Sequence, residues 1–65
     1  MAATAFDVIL KNIEEHRDAI ARALVDGTAR DISEYKAMCG EIRGLSTACM
    51  FITDLVRRME QSDDE

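Results

Sequence analysis

Between Phe6 and Leu24 the apolar residues Phe6, Ile9, Leu10, Ile13, Ile20, Ala23 and Leu24 recur at helical spacing, while Lys11, Glu14, Glu15, Asp18 and Arg22 take the other side. A stripe of this kind marks a helix with one buried face. Thr4, followed three residues on by Asp7, resembles a capping box with the shorter acid and predicts a first helix over about 4–25. Asp26-Gly27 ends it, because glycine suits a left-handed C-terminal cap. The segment 26–31, DGTARD, is the predicted turn. Asp31, with Glu34 three residues on, caps the next helix and places acid where the helix dipole favours it.

In that second helix the apolar residues Tyr35, Met38, Ile42, Leu45, Cys49, Ile52, Val56 and Met59 are spaced 3, 4, 3, 4, 3, 4, 3, a heptad seam without a gap. The helix is predicted over about 32–61, with Arg57 and Arg58 near its negative end and an acidic tail, 62–65, frayed beyond it. So short a turn makes the two helices antiparallel neighbours. The expected fold is therefore all-α, one domain over 1–65 in the form of an αα-hairpin.

The stretch MCGEIRGL, residues 38–45, then poses a question, because Gly40 and Gly44 lie inside this helix. Each interior glycine costs roughly 1 kcal/mol relative to alanine. At 100° per residue both fall more than 90° from the centre of the seam, beside Ala37, Ala48, Phe51 and Leu55. The second helix thus carries two apolar faces, and the first can cover one. Small residues four apart would let another backbone approach closely. Alternatively the first helix fills this groove with Leu10 and Ile13 and the seam faces another subunit. Both assignments remain open in the sequence. Pairing Phe6 with Phe51 and Ile13 with Gly44 leaves Leu55, Val56 and Met59 overhanging. The candidate partner-binding residues are therefore Gly40, Gly44, Ala48, Phe51, Leu55, Val56 and Met59.

Size sharpens that expectation. A chain of 65 residues buries too little of its unfolded surface to be comfortably stable alone, which favours oligomerisation or docking on a partner. Cys39 and Cys49, ten residues apart on one helix, are separated by about 15 Å of rise and cannot bridge within the chain. They read as small reduced thiols in a reducing compartment. Thirteen acidic against eight basic residues give a net charge of -5, which repels nucleic-acid backbones and anionic lipid. MAATAFDV does not read as a signal peptide, and no run approaches the 18 apolar residues of a membrane span. A soluble, intracellular protein is expected.

Catalytic chemistry has little to work with. His16 lacks a Glu three residues before it, so the Glu-x-x-His pattern of bundle metal sites is absent, and an interhelical hydrogen bond to Glu41 is the expected role. Neither cysteine sits in a metal-ligand cluster, and no phosphate loop, nucleophile elbow or triad spacing occurs. Tyr35 is expected to anchor the turn with its ring buried and its hydroxyl wet. No enzyme activity, metal, cofactor or small-molecule substrate is expected.

The stretches DISEYKAMCGEIRGL and ITDLVRRME, together spanning most of Asp31 to Glu60, resemble small helical proteins encoded among the late structural genes of tailed bacteriophages. Glu34-Tyr35 and the Gly-x-Ile-x-Gly-Leu-like core around Gly40 and Gly44 carry the likeness. It implies a minor structural or assembly component of a virion, assembled in the host cytoplasm and docking a helix face on itself or on another virion protein. A phage-encoded regulator that binds and inhibits a host protein is the alternative. An acidic mimic of nucleic acid would need its acids on one continuous face, whereas here Lys11, Arg17, Arg22, Lys36 and Arg43 are interspersed among them.

Overall fold

The structure, a computed structural model, describes residues 4–63. Helix α1 runs over Ala5–Val25 and helix α2 over Ile32–Asp63, and the two pack against each other. Each boundary has a local cause. Thr4 Oγ1 accepts from the Asp7 amide while the Asp7 carboxylate accepts from the Thr4 amide, both at 3.1 Å, so the predicted capping box is formed. At the other end Gly27 adopts φ +78°, its amide donating to Leu24 O while that of Thr28 donates to Ala23 O. This pair of bonds is the Schellman motif, which satisfies carbonyls the last helical turn would leave unpaired. The Thr28 hydroxyl adds a further bond to Ala23 O at 2.9 Å. Asp31 then opens α2, its carboxylate accepting from the Glu34 amide at 2.8 Å.

The short Schellman-capped turn reverses the chain, so α2 returns antiparallel along α1. On α2, Met38, Ile42, Leu45, Cys49, Ile52 and Val56 are half-buried, and this seam faces α1. On α1 the half-buried line is Phe6, Leu10, Ile13, Arg17, Ile20 and Leu24, itself spaced 4, 3, 4, 3, 4. The question left open by two apolar faces is thereby answered. Over the first half of α2 the seam presents Met38, Ile42 and Leu45 where the other face has Ala37, Gly40 and Gly44, and apolar area removed from water is what drives the packing.

Several expectations need correction. Ile9, placed on the buried stripe, is 48% exposed, because the α1 line passes through positions 6, 10 and 13 and leaves position 9 at its edge. Arg17 instead occupies a seam position, its aliphatic stem packing where an apolar residue would go and its Nε 3.7 Å from Asp18 Oδ1. Tyr35 is 51% exposed, so its ring is not buried at the turn. Helix α2 continues to Asp63, two residues beyond the expected end, and the last two residues of the acidic tail lie outside the described residues. Neither Gly40 nor Gly44 breaks α2.

A single seam between two helices makes a thin molecule. Its principal extents are 52 × 20 × 13 Å and its radius of gyration is 15.4 Å, where a compact domain of this length would have about 11 Å. Among the described residues no side chain is fully buried.

Candidate docking face

The site is built on the side of α2 turned away from the seam. Gly40, Arg43, Gly44, Thr47, Ala48 and Phe51 line one shallow, mainly apolar groove. Its floor is low because the glycines have no side chain, and a Cβ built on either one meets nothing within 4 Å. Helix α1 therefore makes no use of the space the glycines create. Thr47 donates its hydroxyl to Arg43 O at 3.0 Å, so its polar group is satisfied within α2. Phe51 stands at the C-terminal end of the groove, 68% exposed, and Leu55 one turn further on is exposed as well.

The proposed partner-binding residues divide into two groups. Gly40, Gly44, Ala48 and Phe51 share this groove, and Leu55 continues its line. Met59 is also exposed, toward the end of α2. Val56 belongs elsewhere: it is half-buried in the seam and lines a cleft with Asp7, Leu10, Thr53, Arg57 and Glu60. The pairing that left Val56 overhanging therefore ends α1 too early, since the first turns of α1 reach it. Sequence reasoning also passed over Arg43 and Thr47 as groove walls. Their positions one and three residues from Gly44 on the helical wheel were the available signal.

Arg43 is the one charged residue among those that line the groove. His16 Nε2 and Glu41 Oε2 are 3.3 Å apart, a contact between the helices with both side chains more than half exposed. Such a pair fixes helix register more than it stabilises, surface ion pairs contributing about 0–1 kcal/mol. At the turn end of α2 the Tyr35 hydroxyl is held above its ordinary pKa, chiefly by its hydrogen bond to the Cys39 thiol, then by that group's charge and by desolvation. Cys39 and Cys49 are unpaired. Among the described residues no three His, Cys, Asp or Glu side chains group as a metal site, and no helix is long and apolar enough to cross a membrane.

Comparison with known protein families, curated proteins and solved structures finds no match to this chain.

Proposed function

We propose that this chain is a non-enzymatic helical interaction protein, a minor structural or assembly component of a bacteriophage particle, that works by docking the outer face of α2. The observation that carries the reading is the open groove at Gly40 and Gly44 beside an exposed Phe51. Two interior glycines together forgo about 2 kcal/mol of helix propensity, and nothing inside the hairpin uses the room they make. A groove bounded by an exposed aromatic residue is the kind of surface on which a second helix recovers that loss. The phage setting rests on the resemblance carried by Glu34-Tyr35 and the glycine-containing core.

A photoreactive phenylalanine analogue placed at Phe51, with Lys11 as the control position, tests the reading in bacteria producing the phage. The expected result is a covalent adduct at position 51, identified by mass spectrometry as this chain or another virion protein, and none at position 11. Equal labelling at the two positions, or none at 51, would overturn the docking reading. Adducts made only with host proteins would overturn its virion setting.

A further inference from the structure

We infer that the occupant of the α2 groove is a second copy of this chain, lying antiparallel across it about a two-fold axis near Thr47 and Ala48. The inference rests on the docking reading above and names its partner. Three observations carry it: surface area, the taper of the face, and charge.

The chain exposes 5329 Å² for a mass of 7.3 kDa. A folded monomer of that mass exposes about 4200 Å². The surplus, roughly 1100 Å², exceeds the ~800 Å² that each partner contributes to a standard stable interface. A second hairpin laid against α2 would remove surface on this scale.

The face is also graded in size along its length. Ala37, Gly40, Gly44, Ala48, Phe51 and Leu55 lie within about 40° of one line at 100° per residue, small side chains first and large ones last. A parallel copy would set Phe51 against Phe51 and glycine against glycine, crowding one end and leaving a void at the other. Reversing the second copy brings Phe51 opposite Gly44 and Leu55 opposite Gly40, twice over by symmetry. Bulk then meets space along the whole contact, as close packing requires.

One pair of opposite charges agrees with the reversed arrangement. Arg43 and Asp54 stand on the same flank of α2, and among the described residues neither forms an ion pair. A two-fold axis perpendicular to the helices keeps that flank beside itself while reversing its direction. Each Arg43 then comes within about two residues' rise of the second copy's Asp54.

Sedimentation equilibrium of the purified chain, R43E, D54R and their equimolar mixture, from micromolar to millimolar, tests this. Wild type should sediment at twice 7.3 kDa. Each single variant places like charges together on the flank and should self-associate at least tenfold more weakly, its helix content unchanged by circular dichroism. Mixed, Glu at position 43 of one chain meets Arg at position 54 of the other, and the dimer mass should return. A wild type monomeric throughout overturns the second copy as occupant, and the adduct at position 51 then decides separately whether the face docks another protein. A wild-type dimer whose single variants associate undiminished, or whose mixture stays monomeric, overturns the antiparallel arrangement.

Discussion

The two faces of α2 use apolar residues in opposite ways. On the seam, Met38, Ile42, Leu45, Cys49, Ile52 and Val56 fill the space against α1 and hold the hairpin closed. On the outer face, glycine and alanine remove side chains, and Phe51 and Leu55 stay exposed to water. One face gains from volume and the other from its absence. Apolar character alone therefore says little about where a residue is used; its size relative to its neighbours on the same line says more.

The sharpest way to break this comparison is to truncate the same residue type on each face. Leu45→Ala should destabilise the hairpin by about 2 kcal/mol, the low end of the range for leucine truncation because the side chain is half-buried. Leu55→Ala, measured where the chain is dilute enough to be monomeric, should change stability by less than about 0.5 kcal/mol, as exposed positions do. Urea unfolding followed by circular dichroism reads both. Equal losses would mean that the outer face packs within the hairpin.

Two glycines separate conformational need from spatial need. A Cβ meets no neighbour at Gly27 or at Gly44, yet Gly27 sits at φ +78°. Gly27→Ala should cost about 1 kcal/mol through the strained left-handed backbone. Gly44→Ala should instead add about 1 kcal/mol to the stability of the monomer through helix propensity. Thermal melts of the two variants should therefore move in opposite directions. A loss at Gly44 at every protein concentration would return the glycines to the hairpin interior.

Gly44→Leu sharpens the same point. It should raise monomer stability by several tenths of a kcal/mol to about 1 kcal/mol and weaken self-association, because overfilling a close contact costs roughly 1–3 kcal/mol. Sedimentation beside the thermal melt separates the two effects. Unchanged stability together with unchanged association would remove the glycines from any contact.

The smallest effect lies at the turn end of α2. With its pKa raised above the ordinary 10.0, Tyr35 holds its proton more tightly in the folded state than in the unfolded one. Its contribution is thus fully present below pH 10 and is lost as the pH climbs through the raised value. Ultraviolet titration of the phenolate should show the shift, and Cys39→Ala should bring the midpoint back toward 10.0. A midpoint indifferent to Cys39 would rule out the thiol as its cause.

What the sequence by itself determined were the features set by contacts a few residues long. The Thr4–Asp7 capping box, the Gly27 stop, the Asp31 cap and the α2 seam from Met38 to Val56 all appear where spacing predicts them, while Tyr35 and Met59 at the two ends of that heptad stay exposed. The His16–Glu41 contact also follows from simple antiparallel pairing. Tertiary structure alone decided which apolar face of α2 receives α1, and with it the open groove at Gly40 and Gly44, the burial of Val56 in a cleft with α1, and the entry of Arg17 into the seam. Periodicity marks the direction in which a side chain leaves its own helix. Which side chains meet depends on the volumes that two helices bring to one another across the turn.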